Sequence, residues 1–254
     1  MQKSTIETPA EPLLPTAGLI AVVGCDGTGK STLTADLART FNLETPAKRC
    51  YLGLVSGEAG DRIKHLPLIG VWLERRLAAK SEQAQDMRNK RPAIWAALIM
   101  YGLSLWRAAH LWRAHRLARR GTLVITDRYP QAEVSGFHFD GPGLGVERSG
   151  QGWLGKLAAR EQRLYRRMAM HRPALVIRLG IDVDTAHARK PDHSLAELRN
   201  KITVMAELQF DGAAILDLDT RVPYAEVREK ALRAVLATTA TDQDRKPNVA
   251  DRPA

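Results

Sequence analysis

The stretch Leu19-Ile20-Ala21-Val22-Val23-Gly24-Cys25-Asp26-Gly27-Thr28-Gly29-Lys30-Ser31-Thr32 decides how the rest of the chain is read. An unbroken apolar run stops at a glycine-rich turn, and the turn opens straight into helix-forming residues. Gly24, four residues, then Gly29-Lys30-Ser31 is the phosphate-binding loop pattern, and the context it needs, a buried strand before and a helix after, is present. Gly24 and Gly29 admit backbone conformations that a Cβ would block, so successive N–H groups can face phosphate oxygens. Lys30 has the reach and charge for the β- and γ-phosphates of a nucleoside triphosphate, and the Ser31 hydroxyl suits a Mg²⁺ ligand. A helix starting near Lys30 turns the positive end of its dipole towards the same anion. A glycine turn that binds nothing would not account for Lys30 and Ser31 together.

Outward from this loop, strands alternate with helices. Leu33, Leu37 and Phe41 share one helical face. A short strand is expected over 48–52. Residues 53–92 show no clear period, although Val71-Trp72-Leu73 and Leu77 suggest a helix, and Arg91-Pro92 marks a boundary. Residues 92–120 read as one long helix, with Gly102 a candidate bend. Its first half is apolar nearly all round (Ile94, Leu98, Leu105), which predicts burial in the domain or in a dimer interface. Its second half, 107–120, is basic and amphipathic. Gly121 ends it, and Thr122-Leu123-Val124-Ile125-Thr126 is a strand with Asp127-Arg128-Tyr129 at its carboxyl end. A glycine-rich loop, 136–152, leads into a helix over 153–170. A strand over 174–179, a helix over 182–190, a break at Arg189-Lys190-Pro191-Asp192-His193, a helix over 195–210, a strand over 215–219 and a closing helix over 223–237 complete the pattern. The alternation predicts an α/β protein: a three-layer P-loop NTPase fold with a parallel sheet of about five strands covered by helices, and a lid segment near 186–200. One domain over 17–238 is expected, between polar tails at 1–16 and 239–254, the second of them disordered.

A chain of 254 residues, 44% hydrophobic and 26% charged, is long enough for one large domain. Cys25 and Cys50 make neither a disulfide framework nor a metal site and suit a reducing compartment. The first sixteen residues contain no secretory apolar segment, and the run over 94–106 is short of the roughly 20 residues a bilayer needs. A cytoplasmic protein is expected. The formal net charge is +10, with arginines concentrated over 107–120 and 160–172. That charge admits polyanions, an acidic membrane surface or anionic small molecules. No specific nucleic acid partner is expected.

Open α/β sheets bind ligands beyond the carboxyl ends of their strands. Asp127 and Arg128 are therefore expected to share a crevice with the phosphate loop. A carboxylate at 127 suits the water shell of Mg²⁺. An arginine beside it can grip the phosphate of an acceptor by two parallel hydrogen bonds. Arg189-Lys190, before Pro191, place two cations where they could close over a transferred phosphoryl group and exclude water.

The stretch from Gly24 to Thr32, with Val124-Ile125-Thr126-Asp127-Arg128-Tyr129 far downstream, resembles the thymidylate kinase family of P-loop nucleoside monophosphate kinases. Arg107-Ala108-Ala109-His110 and then Gly121 are similar to that family's helix before its Asp-Arg-Tyr strand, and residues 186–190 to the start of its lid. The resemblance implies ATP and Mg²⁺ held by Gly24, Asp26, Gly27, Thr28, Gly29, Lys30, Ser31 and Thr32, with Asp26 also near the acceptor phosphate. It implies that Asp127 organises the metal, that Arg128 and its neighbour Tyr129 lie on the acceptor side, that Arg107 contacts the acceptor and that Arg189 is a lid cation. It also implies a homodimer through the apolar helix. Three departures leave the acceptor open. Leu103 stands where the family has a base-stacking aromatic ring, Leu52-Gly53-Leu54-Val55-Ser56-Gly57 replaces an Arg-Glu-Pro-Gly stretch, and Pro130-Gln131-Ala132-Glu133 replaces a polar segment. A small phosphate acceptor is expected: a nucleoside monophosphate such as dTMP, another nucleotide, a nucleoside or a non-nucleotide. The rival reading is an ATP-binding switch or scaffold with weak hydrolysis. Its basic helices, with Trp72, Trp95, Trp106 and Trp112, would engage an anionic membrane or a protein.

Overall fold

The computed structural model describes residues 15–54, 94–150 and 152–244. The expected helix around Val71-Trp72-Leu73 and Leu77, and the part of Trp72 in the rival reading, lie outside them. The elements are β1 (Thr16–Gly24), α1 (Lys30–Phe41), β2 (Ala47–Tyr51), α2 (Ile94–Arg119), β3 (Leu123–Asp127), α3 (Val146–Ser149), α4 (Trp153–Met170), β4 (Pro173–Gly180), α5 (Val183–Arg189), α6 (Leu195–Glu207), β5 (Ile215–Asp219) and α7 (Tyr224–Asp244).

The strands form one all-parallel sheet in the order β2-β3-β1-β4-β5. With helices on both faces this is the three-layer α/β arrangement of a P-loop NTPase. β1 lies at the centre, and Leu19 to Val22 have no exposed surface. Alternate residues of a strand point to opposite faces, and the two halves of the core follow that rule. Leu19, Ala21, Val23, Val124 and Val176 pack with Leu111 and Ala114 of α2 and Leu164 and Met168 of α4. Ile20, Val22, Ile125 and Ile177 pack with Leu33 and Leu37 of α1 and Val227 and Ala231 of α7. In register, Val22 and Tyr51 both pair with Asp127. The carboxyl ends of the three strands therefore meet at one level, next to the loop that follows β1.

Three differences from the expected boundaries have local causes. β1 starts at Thr16, whose N–H bonds the Arg172 carbonyl at 2.9 Å and so extends the sheet past an irregularity before Ile20. α7 runs on through Asp244, beyond 237 and into the expected tail. There Thr238, Thr239 and Thr241 donate their hydroxyl protons to carbonyls one turn back, at 2.8, 3.1 and 2.9 Å, so polar composition did not stop the helix. α6 stops at Glu207, and the 3₁₀ turn Phe210–Gly212 is capped by Glu133, whose carboxylate accepts from Gln209 N–H and Phe210 N–H. The first half of α2 buries one stripe only. Ala96, Ala97 and Met100 are buried, whereas Ile94, Trp95, Leu98 and Leu105 are exposed.

The glycine-rich loop is folded. It carries the 3₁₀ turn Phe137–Phe139 and the short α3. Buried Gln131 organises its entrance: the side-chain amide donates to the Val134 and Phe139 carbonyls and accepts from Glu133 N–H and Val134 N–H. No helix among the described residues is long and apolar enough to cross a membrane.

Candidate functional site

The loop after β1 wraps tightly around its own carbonyls. Gly24 has φ 148°, and a Cβ there would stand 2.7 Å from the Leu179 carbonyl oxygen and 2.9 Å from Thr28 Oγ1. Gly29 caps α1 in the left-handed conformation, φ 83°. Thr28 Oγ1 and Lys30 Nζ both donate to the Cys25 carbonyl, at 2.8 and 2.6 Å. Lys30 is only 7% exposed. Its burial, then the charge of Arg128, bring its ammonium pKa down to about 8 against the pull of Asp26 and Asp127. Ser31 and Thr32 remain exposed at the start of the helix.

Facing the loop stand the groups of β2 and β3. Ser31 Oγ donates to Asp127 Oδ2 at 2.7 Å, and Arg49 Nη2 donates to the same oxygen at 2.8 Å. Arg128 has φ 72°, a left-handed conformation that is uncommon for a residue with a side chain. Its N–H bonds the Val22 carbonyl at 2.9 Å, and its guanidinium reaches Asp26 Oδ1 at 2.9 Å and Asp140 Oδ2 at 3.4 Å. Lys201 of α6 grips the other oxygen of Asp26 at 2.7 Å. Burial works to raise the pKa of Asp26, but Arg128, Lys201 and Lys30 outweigh it and hold the carboxyl well below the usual range. For Arg128, burial favours the neutral form, yet Asp140 and Asp26 more than reverse that and keep it charged.

Behind Arg128 the network continues inward. Arg107, 1% exposed, donates to Asp140 Oδ1 at 2.7 Å, to the Asp140 carbonyl at 3.0 Å and to the Tyr165 hydroxyl at 3.4 Å. On the other flank Arg189 lies over the loop, with Nη1 3.3 Å from the Gly27 carbonyl and Nη2 3.0 Å from the Thr220 carbonyl. Lys190 follows it, close enough that a Cβ on Gly27 would meet its Cγ at 3.6 Å.

The structure thus brings Gly24, Asp26, Gly27, Thr28, Gly29, Lys30, Ser31, Asp127, Arg128 and Arg189 to one place. It sets two expected site residues apart. The Tyr129 side chain turns back into the core, where its hydroxyl bonds His115 Nε2 at 3.2 Å and donates to the His171 carbonyl. The left-handed turn at Arg128 sends the two neighbours in different directions. Arg107 is consumed by Asp140 and has no open surface for an acceptor. Arg49, Asp140 and Lys201 join the site although sequence reasoning did not single them out. Asp140 lay inside the glycine-rich loop, but nothing in the pattern separates Arg49 or Lys201 from other cations on a strand or helix.

A hydroxyl and a carboxylate oxygen 2.7 Å apart, Ser31 with Asp127, form an all-oxygen donor pair of the type a hard divalent cation takes. Among the described residues no group of three or more His, Cys, Asp or Glu gathers into a protein cage. Mg²⁺ on this pair would therefore depend on phosphate and water for its other ligands.

No protein-family model matches the chain. The sequence is 60% identical over 218 residues to the "Uncharacterized ATP-binding protein YghR" of Escherichia coli K12, spanning 86% of each chain. It is 48% identical over 219 residues to the "Uncharacterized ATP-binding protein YghS" of the same strain, spanning 86% of this chain and 92% of that one. This chain belongs to the YghR/YghS family. In this YghR/YghS-family chain, Lys30, Arg49, Arg128, Arg189 and Lys201 surround a phosphate loop at the carboxyl edge of the sheet. Asp26, Asp127 and Asp140 hold three of these cations, Arg49, Arg128 and Lys201, in fixed directions. Such an arrangement can bind a polyphosphate and stabilise charge that shifts along it.

Proposed function

We propose that the protein is a Mg²⁺- and ATP-dependent phosphotransferase that moves the γ-phosphoryl group onto a small acceptor bearing an anionic group. One observation carries the reading. The loop built for a triphosphate and the arginine suited to an acceptor phosphate meet across a single crevice, with Arg128 2.9 Å from Asp26 and Asp127 2.7 Å from Ser31. The YghR and YghS relatives are named for ATP binding, which supports ATP as the donor.

The work of each residue follows from its place. Backbone N–H groups from Gly27 to Ser31 and the Lys30 ammonium would cradle the β- and γ-phosphates. Ser31 and Asp127 would hold Mg²⁺, which would supply positive charge to offset that of the phosphates. Arg128 would hold the acceptor anion in line with the γ-phosphorus. Lys201 and Arg128 keep Asp26 ionised and turned aside, and Arg189 and Lys190 cover the loop against water. Transfer then breaks the bond from the γ-phosphorus to its bridging oxygen as an acceptor oxygen bonds to the same phosphorus. Positioning and charge do the catalysis, without a covalent enzyme intermediate.

A nucleoside monophosphate such as dTMP heads the panel of acceptors that tests this. ADP release is followed with monophosphates, nucleosides and non-nucleotide phosphates. One acceptor is expected to stimulate release, and Arg128→Ala to remove the stimulation by about 100-fold or more. If no acceptor stimulates ADP release, the reading fails. The switch reading draws on Ile94, Trp95, Leu98, Leu105 and Trp112, all exposed on α2, beside the arginines of its second half. Salt-sensitive sedimentation with anionic liposomes, without acceptor phosphorylation, would favour it.

A further inference from the structure

We propose that Asp140, backed by the buried Arg107, is a positioning residue that aims Arg128 at the acceptor anion. The proposal rests on the phosphotransferase reading and adds to it the residues that fix the acceptor-side arginine.

Arg128 occupies a left-handed backbone conformation, φ 72°, that residues with side chains adopt only when their surroundings impose it. Its backbone N–H is tied to the Val22 carbonyl. Its side chain is held between two carboxylates, Asp26 from the phosphate loop and Asp140 from the glycine-rich loop. The two are not equivalent. Asp26 belongs to the P-loop itself and is shared with Lys201. Asp140 is 4% exposed and is itself in the left-handed conformation, φ 62°, at the end of the Phe137–Phe139 turn.

Asp140 is in turn held by more groups than Arg128 needs. Its carbonyl accepts from Arg107 at 3.0 Å and from Gln131 N–H at 3.2 Å, its own N–H bonds the Phe137 carbonyl at 3.1 Å, and its Oδ1 takes Arg107 Nη2 at 2.7 Å. That leaves Oδ2 for Arg128. Arg107 thus grips Asp140 at carboxylate and carbonyl together, a two-point hold that fixes direction as well as distance. A buried ion pair of this kind is weak evidence for stability, and a fixed geometry is its better-supported use.

The charges fit the same role. Arg107 and Asp140 cancel each other. Arg128 and Lys201 face two carboxylates, Asp26 and, from Lys201 at 3.4 Å, Glu197, while Lys30 and Arg189 beside them bond backbone carbonyls, so the crevice keeps a net positive charge for an acceptor anion. Asp140 orients Arg128 without spending the charge that Arg128 must present.

The test uses inorganic phosphate as the probe anion, titrated calorimetrically into the full chain with the P-loop filled by Mg²⁺ and a non-hydrolysable ATP analogue. Asp140→Asn is expected to weaken phosphate binding about tenfold and to leave the affinity for the ATP analogue within about twofold. Arg128→Ala is expected to weaken phosphate binding at least as much. The double variant should be no weaker than Arg128→Ala alone, because Asp140 acts through Arg128. Arg107→Lys, which keeps the charge but loses the fork, should give a smaller loss in the same direction and guards against an Asp140→Asn chain that fails to fold. If Arg128→Ala weakens phosphate and neither Asp140→Asn nor Arg107→Lys does, or if the losses add, the positioning role is overturned while the acceptor role of Arg128 stands. If phosphate does not bind, or binds regardless of Arg128, the acceptor role falls and the positioning role falls with it.

Discussion

Lys30 shows how one side chain can set the pH range of a site. Buried beside Arg128, its ammonium titrates near 8 instead of near 10.5. Only the charged form pairs with phosphate. Nucleotide affinity should therefore hold level below pH 8 and fall above it, by at most about tenfold for each further pH unit. Titration of a fluorescent ATP analogue from pH 7 to 9.5 checks this, and Lys30→Arg should flatten the profile. Stability moves the other way. Between 8 and 10.5 the unfolded chain holds the proton that the folded chain has released, so this group makes unfolding harder as pH rises through that window. Gly24 belongs at the same scale. A methyl group there meets the Leu179 carbonyl and Thr28 at sub-contact distance on a backbone of φ 148°. Gly24→Ala should cost about 1–3 kcal/mol in urea unfolding and should also abolish nucleotide binding, because relief of the clash must displace the loop.

At the scale of elements, the question is what ties α2 and the glycine-rich loop to the sheet. His115 of α2 bonds Thr16 of β1 at 2.9 Å and the hydroxyl of Tyr129, just past β3, at 3.2 Å. Burial, then the neighbouring His171 and Arg119 charges, push the His115 pKa down to about 4. The ring is thus neutral in the fold while the unfolded chain takes up a proton near 6.5. Stability from this group should be complete above pH 6.5 and decline as pH falls towards 4. Thermal unfolding across that range should show the slope, and His115→Gln should reduce it. Gln131 does for the loop what His115 does for the helix. Its four hydrogen bonds hold 131–139 in place. Gln131→Leu, of similar size but without polar atoms, should cost about 2–3 kcal/mol by stranding buried backbone groups. Phosphate affinity should fall with it, because the substitution loses the side-chain bond to the Phe139 carbonyl, in the peptide that leads into Asp140.

For the whole molecule, a ligand bound only by the folded chain raises its apparent stability. At 100 times its dissociation constant, ADP with Mg²⁺ should add about 2.7 kcal/mol. For a domain of this size that is a rise in Tm of roughly 5–10 °C, which scanning fluorimetry would read and which Lys30→Ala should remove. The fold class and the nucleotide loop were legible without coordinates, because strand periodicity, the glycine spacing and the Lys30-Ser31 pair each rest on local chemistry. So was the prospect that Asp127 and Arg128 would face that loop, since parallel strands deliver their carboxyl ends to one edge. Direction and partnership were not legible. Arg128 and Tyr129 are neighbours in the chain, yet one faces the crevice and the other the core. Arg107 was expected, by resemblance, to contact the acceptor and is sealed behind Asp140, and Arg49 and Lys201 read as ordinary surface charge but stand at the crevice. These outcomes depend on which side chains distant segments bring within hydrogen-bond reach: 96 residues separate Ser31 from Asp127, and 175 separate Asp26 from Lys201. A local pattern can specify a strand, a turn or a loop for phosphate. Only packing decides which charge is spent inside the protein and which is left for a ligand.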